Sequence, residues 1–423
     1  MSSVFSIALS SLQAESEAIN TTGNNLANMN TDGFKGSAVD FKDLFSQSIG
    51  GSSGFEAGLG VGVPVSNQLF TQGSIQSTAA PLAAAIQGDG FFVVNSPSNQ
   101  QLFTRDGNFT QNAAGVLQTQ TGEDIQGWTA AANGTINTSG VTGNIVLPTG
   151  TTLPPTATQN FSINANLDAQ AAAGSATGTF SAPMQVVDSL GNTHDLTITF
   201  TQSVASPNTW SYNVTIPATD LTGGAANTQQ SVLAGAPGTV TFNNNGTLST
   251  AGGTAPIGVT INNLADGAAN MNINWNLFDA SGNGMLTEYA QTSALASSTQ
   301  DGNTPAQLNS VSIQSGGQVV ALYSNGQQKV EAQLALAAIQ NPTSLQNVGN
   351  NNYSVSTQTS TPAVGAPQTG GRGQILGGSL ESSNVDMATQ FTNLIVFQSA
   401  YQASSRVIST AQTMTQDLLQ LIH

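Results

Sequence analysis

The sequence contains no cysteine, which excludes disulfides, thiolate nucleophiles and cysteine metal sites together. Positive charge is almost as scarce: six Lys and Arg stand against 22 Asp and Glu, a formal net charge of −16. Between Asp106 and Gln328 there is no Lys or Arg. Phosphate binding needs clustered cations, so nucleic acid is excluded as a partner. Two histidines occur, His194 in a strand-like segment after a turn and His423 as the last residue. Neither has a catalytic setting in sequence, and a Ser-His-Asp arrangement through His194 and Asp195 is a cheap coincidence where Ser and Asp abound. The reading is therefore a non-enzyme with no catalytic residue, metal or cofactor. No window approaches 18 uninterrupted apolar residues, so membrane insertion is not expected. The start, MSSVFSIALSSLQAESEAIN, has no basic region and carries Glu15 and Glu17. This is not the pattern of a cleaved secretory signal, which leaves a soluble chain or one exported without such a signal.

Ser, Thr, Asn, Gln, Gly and Ala stand where charges usually would. Charged residues make up 7% of the chain, against about a quarter in ordinary soluble proteins. Hydrophobic content of 38% over 423 residues is enough for two or three domains with conventional cores. The acidic excess gathers in residues 150–290, which hold seven acids and no Lys or Arg.

Two helical seams sit at the ends. Phe5, Leu12, Ile19 and Leu26 fall seven apart, with Leu9 between them and Ala8, Ala14 and Ala18 alongside. Asn24, Asn25 and Asn28 then load the sequence with helix breakers, so the helix is expected to finish between Leu26 and Asn30. At the other end Met387, Leu394, Tyr401 and Ile408 repeat the spacing, joined by Phe391, Phe397, Ala411, Leu418 and Ile422. No Gly or Pro interrupts from Asn384 to Leu421, which predicts one helix of roughly ten turns. Each helix is apolar on more than a narrow stripe and wants a partner helix.

Between them the texture is β. GFFVV, DLTITF, TWSYNVTI and NMNINWNLF are short, β-branched or aromatic runs bounded by turn residues. DASGNG at Asp279 alternates oxygens like a calcium loop but has Ala290 where an EF-hand needs Glu, so a hairpin turn is expected there and at DSLGN from Asp188. GLGVGV at Gly58 and GRGQILGG at Gly371 lack the setting of a dinucleotide site and read as flexible loops. LPTGTTLPPTATQ (residues 147–159) and a Ser/Thr-rich passage at 291–305 read as linkers bracketing an inserted domain, with a further loose stretch, SIGGSSGFEAGLGVGV, near Gly54.

The expected fold is mainly β with long helical termini. Residues 1–30 and 384–423 form a paired, coiled-coil-like helical domain, 31–70 and 371–383 are linker regions, 71–149 and 291–370 a β body, and 150–290 an inserted sandwich- or barrel-like β domain.

The order of residues in GNNLANMNTDGFKGSAVDFKDLF (23–45) strongly resembles the N-terminal signature of the bacterial flagellar rod and hook proteins. Asn25, Ala27, Asn28, Thr31, Gly33, Phe34 and Lys35 carry it. It continues in QGDGFFVV with Gly88, Gly90, Phe91 and Phe92, in LFTRDGNFTQNAAGVLQTQTGEDIQGW (102–128), and in LESSNVDMATQFTNLIVFQSAYQASSRVISTAQTM (380–414). The C-terminal signature is departed from at Gln390, Ser399 and Ser404, where Glu, Arg and Asn are usual, which bears on polar contacts between the terminal helices. The region 184–200 is similar to the outer domain of the hook-type members, which carry a large interior insertion.

The resemblance implies a hook subunit exported unfolded through the flagellar type III apparatus. It would polymerise with itself under a cap into a curved tube that transmits motor torque, outside the cell in the hook and basal body. Its partners would be the rod, hook cap and hook–filament junction proteins. Two alternatives stand beside it: the distal rod or another axial protein of the same family, and a secreted β-rich adhesin or glycan-binding module. In a polymer of acidic subunits Lys35 and Lys42 are candidates for intersubunit ion pairs, or else solvate a loop.

Overall fold

The computed structural model describes residues 2–44, 47–48, 56–57, 60–131, 134–150, 152–233, 237–250 and 254–421. Ile422, His423 and most of the stretch around Gly54 lie outside the described residues. The chain divides into two compact units. One comprises Met1–Thr149, Asn309–Leu322 and Gln327–His423; the other comprises Gly150–Leu308 and Tyr323–Gly326.

The first unit holds helix α1, Ser2–Ala27, and helix α2, Met387–Leu421. α1 ends inside the Asn-rich stretch, as helix propensity dictates. Asp386 precedes α2 and caps it, its side chain accepting from the amide of Thr389 at 2.7 Å. The β body of this unit is built on the strand Phe91–Asn95, which pairs antiparallel with Gln101–Thr104, Asp124–Thr129 and Leu336–Ala338. Phe92 and Val94 point into one core with Leu102, Phe109, Leu117 and Ile125, while Phe91 and Val93 point into a second with Phe103, Trp128 and Tyr353. Both faces of GFFVV are buried, so it reads as continuous rather than alternating hydrophobicity.

Where described, the segments expected to be linkers on either side of the β body contain paired strands. Ser37–Asp40 pairs with Val65–Gln68, Gln374–Gly377 with Ala84–Gln87, and Ser379–Glu381 with Ile75–Ser77. GRGQILGG is therefore partly strand, not a flexible loop, and Ile375 within it is fully buried. Outgoing and returning chain satisfy each other's backbone groups, which local composition does not reveal.

The second unit is a sandwich. One sheet runs Ile257–Ile261, Met271–Asn276, Asn160–Asp168, Leu286–Tyr289, with Ala294–Gln300 also on Asn160–Asp168; the other runs Thr179–Val187, Thr193–Gln202, Thr209–Pro217, Gln229–Ser231, with Gly238–Thr241 also on Thr209–Pro217. Asn160–Asp168 and Thr209–Pro217 alternate half-buried and buried positions along their length, the period-two signature of a strand with one face on a core. Phe161, Ile163, Phe200, Trp210, Ile273 and Trp275 share that core. The passage 291–305, expected to be a linker, contains the strand Ala294–Gln300 of this unit. Its hydroxyls pair across to Asn160–Asp168, with Thr299 on Ser162 at 2.8 Å and Asn164 on Ser297 at 3.0 Å. Being almost wholly exposed, it shows no hydrophobic alternation.

DASGNG and DSLGN are both turns held by an aspartate. Asp279 Oδ1 accepts from the amides of Ser281 and Asn283, and Asp188 Oδ1 from those of Leu190 and Asn192, each at 2.8 Å.

Candidate functional site

α1 and α2 run antiparallel. Ser11 Oγ meets Ser404 Oγ at 2.9 Å, and Asn25 Nδ2 donates to Gln390 Oε1 at 3.2 Å, so the same register holds over two heptads. Gln390 and Ser404 stand at departures from the family signature, and here they supply the polar contacts between the helices.

The covered stripe of α1 is not the seam of large residues. It is Ala8, Ala14, Ala18, Thr22 and Asn25, all buried, with Ser11 half-buried among them. Small side chains let the two backbones approach, and this stripe lies about 100° round the helix from the Phe5–Leu12–Ile19–Leu26 line. Phe5 and Leu9 are exposed, while Leu12, Ile19 and Leu26 are half-buried. On α2, Leu394 and Ile408 are half-buried and Met387, Phe391 and Tyr401 exposed; Leu418 lies within the helix. Phe397 leans on Phe41 with ring centroids 6.1 Å apart. Beyond these, Val4, Ile395, Val396, Val407 and Met414 also face solvent.

Below the helices lies a buried polar junction built from the signature residues. Gly33 has φ +70°, and a Cβ there would come within 2.6 Å of the Asp106 amide nitrogen, so only glycine fits. Its own amide donates to the Glu381 carbonyl at 2.7 Å. Phe34 is buried, Asn25 exchanges two hydrogen bonds with the backbone of Ser37, and Asn384 accepts from the Gly36 amide. Thr31 and Asn28 close the turn, with Ala27 exposed. Gly90, Phe91 and Phe92 are buried in the β body; Gly88 is exposed, and its carbonyl accepts from Arg105 Nη2 at 2.9 Å.

Lys35 is neither solvated nor free to reach a neighbouring subunit. Its side chain is fully buried and its ammonium sits 2.6 Å from Glu381 Oε1, with a second bond to the Thr71 carbonyl at 2.9 Å. Glu381, also fully buried, accepts from the Gly73 amide on that same Oε1 at 2.9 Å and takes Arg105 Nη1 on Oε2 at 3.2 Å. Arg105 lies over the Phe91 ring at 5.3 Å. Burial lowers the Lys35 pKa, and the charge and hydrogen bond of Glu381 oppose that shift. Next to the cluster, burial pushes Asp106 up to about 6; the Asn108 amide works against this and the charges of Asp32 and Glu123 with it. Burial likewise raises Tyr353, whose hydroxyl accepts from Gln68.

The cluster fastens three stretches of chain far apart in sequence: the turn after α1, the strand end at Arg105 and the segment leading into α2. Glu381 and Arg105 escaped sequence reasoning; the available signal was that each is a rare charge inside a quoted signature segment. Lys42 is exposed. His194 and Asp195 form no nucleophile-base-acid set: Asp195 is turned to Gln185 at 3.2 Å, and both ring nitrogens of His194 face other carboxylates.

Four family models match the chain. They are the flagella basal body rod protein over residues 5–35, the flagellar hook protein FlgE/F/G D1 domain over 85–168, the flagellar basal body protein FlaE D2 domain over 158–303, and the flagellar basal body rod FlgEFG protein C-terminal over 376–421. The flagellar hook protein FlgE of Treponema pallidum is 32% identical over 100% of this chain and 99% of its own length. That of Escherichia coli is 30% identical over 99% of each. A crystal structure of Helicobacter pylori flagellar hook protein FlgE2 superposes with a TM-score of 0.50 and 13% identity, covering 66% of this chain and 94% of that one, a likeness of fold. Matched from end to end, this chain belongs to the flagellar hook protein family.

Proposed function

We propose that the chain is a structural subunit of the bacterial flagellar hook that polymerises through its terminal helices into a curved, flexible tube transmitting motor torque to the filament. One observation supports the polymerisation: α1 and α2 cover each other only along a stripe of small residues and leave Phe5, Leu9, Phe391 and Tyr401 uncovered. Burying the exposed part of such side chains, less than half of each, against a neighbouring copy contributes about 0.5–1.5 kcal/mol each. Phe5, Leu9, Leu12, Ile19, Leu26, Met387, Phe391, Leu394, Tyr401, Ile408, Leu418 and Ile422 are the residues assigned to this contact, and exposed Lys42 is the remaining candidate for an intersubunit pair.

In this reading the subunit leaves the cell through the flagellar type III apparatus, without a cleaved signal, and associates with rod, cap and junction proteins at its ends. The inserted unit, rich in carboxylates, faces water in the polymer, since like charges packed together would repel.

The test is removal of residues 1–30 and 384–423 from the full chain. The truncated protein should keep the β signature of its circular dichroism and form no tubes in electron micrographs. Tubes formed under the conditions that assemble the intact chain would overturn the assignment.

A further inference from the structure

The unit Gly150–Leu308 contains seven Asp, one Glu, no Lys or Arg, and a single histidine. Three of those acids converge on that histidine. His194, buried near the start of the strand Thr193–Gln202, has Nδ1 2.9 Å from Asp220 Oδ2. Its Nε2 lies 3.3 Å from Asp188 Oδ2 and 3.5 Å from Asp266 Oδ2. Asn192 Nδ2 donates to the same Asp266 oxygen at 2.9 Å and reaches Asp188 at 3.4 Å.

A neutral imidazole has one N–H and one lone pair. Here both nitrogens face carboxylate oxygens, so a neutral ring would turn its lone pair on an anion, and only the imidazolium satisfies both sides. The carboxylates come from different places. Asp188 opens the turn after Thr179–Val187, and Asp220 closes the short 3₁₀ turn Ala218–Asp220 after Thr209–Pro217. Asp266 lies between Ile257–Ile261 and Met271–Asn276 of the opposite sheet. Neighbouring backbone follows the same seam: the Ala265 amide donates to the Asp220 carbonyl at 2.8 Å, and the Thr222 amide to that of Asn263 at 2.8 Å.

We propose that His194, when charged, clasps the two sheets of this unit together at one end and releases them on losing its proton, so that the unit is firmer in mildly acidic surroundings than in alkaline ones. With no other cation in the unit, deprotonation leaves three carboxylates facing one another uncompensated.

Burial works to lower the His194 pKa, but the hydrogen bonds and charges of Asp220 and Asp188 outweigh it and the net shift is upward. A raised folded pKa gives stability that is complete below the unfolded value of 6.5 and is lost as pH rises through the folded value. Asp188 moves the other way. Despite burial, hydrogen bonds from Asn192, His194 and Leu190 help hold it at about 2, so its contribution is lost as pH falls from 3.8 toward 2. The clasp is therefore tightest between pH 3.8 and 6.5.

The experiment uses the full-length unpolymerised chain treated with EDTA. The two histidine Cε1–H signals are followed by NMR against pH, with His194 assigned by its loss in His194→Gln, and thermal unfolding is read from the fluorescence of the three tryptophans, of which Trp210 and Trp275 lie in this unit's core. The expected result is a His194 midpoint above 6.5, and a melting temperature that falls between pH 6.5 and 9 in the parent chain but stays level in His194→Gln. Asp220→Asn, which keeps the shape of the cluster, should lower the His194 midpoint and serves if His194→Gln does not fold. A midpoint at or below 6.5, or parallel melting profiles in the parent and His194→Gln, would overturn the clasp. Loss of the titration on adding Zn2+, restored in Asp266→Asn, would also overturn it by making the cluster a cation site.

Discussion

Each unit gathers opposite charges in one place, fully buried at Lys35 and Glu381 but open to water at Asp220 and Asp266, and the two places are inverted in composition. In the unit bearing the helices two permanent cations, Lys35 and Arg105, enclose one carboxylate, Glu381. In the inserted unit three carboxylates enclose one imidazole. The first cluster is built on a guanidinium and a buried ammonium whose pKa burial lowers against the opposing pull of Glu381. The second depends on a group that titrates near neutrality. A chain with six Lys and Arg thus fixes its helical junction with Lys and Arg and closes its sandwich with an imidazole.

The strongest way to break this comparison is Glu381→Ala. It leaves two cations buried side by side and orphans the Gly73 amide, and removing one partner of a buried pair costs about 3–5 kcal/mol. Chemical denaturation of the full chain should show the loss at every pH from 5 to 9. A loss confined to one pH range would mean that the cluster titrates and the contrast is false.

Asp106→Asn sharpens the comparison with a smaller effect. The acid is raised from 3.8 to about 6 in the folded chain, so the folded state binds the extra proton and stability falls as pH rises between those values. The Asn variant should be more stable than the parent by about 1 kcal/mol at pH 7.5 and equal to it at pH 3.5, after allowing for partial exposure. Melting curves at the two pH values check this. The window lies below that of His194, so the two units can be told apart in one titration. The smallest effect belongs to Lys42→Gln. This cation is exposed, and its loss should change subunit stability by less than about 0.5 kcal/mol. A loss as large as that from Glu381→Ala would show that the number of cations, rather than their burial, holds the junction.

Much of this was open to reading from the residues, in proportion to how local the physics is. The Asn-rich end of α1, the Gly- and Pro-free length of α2 and the doubly buried GFFVV strand are set within a dozen residues, and the structure follows them. The covered face of α1 was not. Heptad spacing of Phe5, Leu12 and Ile19 announces a helix with a seam, but close packing here uses the alanines, whose small size leaves little hydrophobic signal. Lys35 fell in the right motif and was given the wrong partner, because the carboxylate that binds it lies 346 residues away. The strand Ala294–Gln300 passed for a linker because exposed strands owe their place to backbone pairing and hydroxyl contacts rather than to apolar alternation.

The way the chain enters and leaves the sandwich has a modular consequence. Thr152 and Leu153 pair antiparallel with Gln307 and Ala306, so the two ends of the inserted segment lie side by side, about 5 Å apart between paired Cα atoms. A tight turn could close that gap in place of everything from residue 154 to 305. Such a segment can be lengthened, replaced or lost without asking the remaining chain to move its ends, so it can vary independently of the parts that carry the helices.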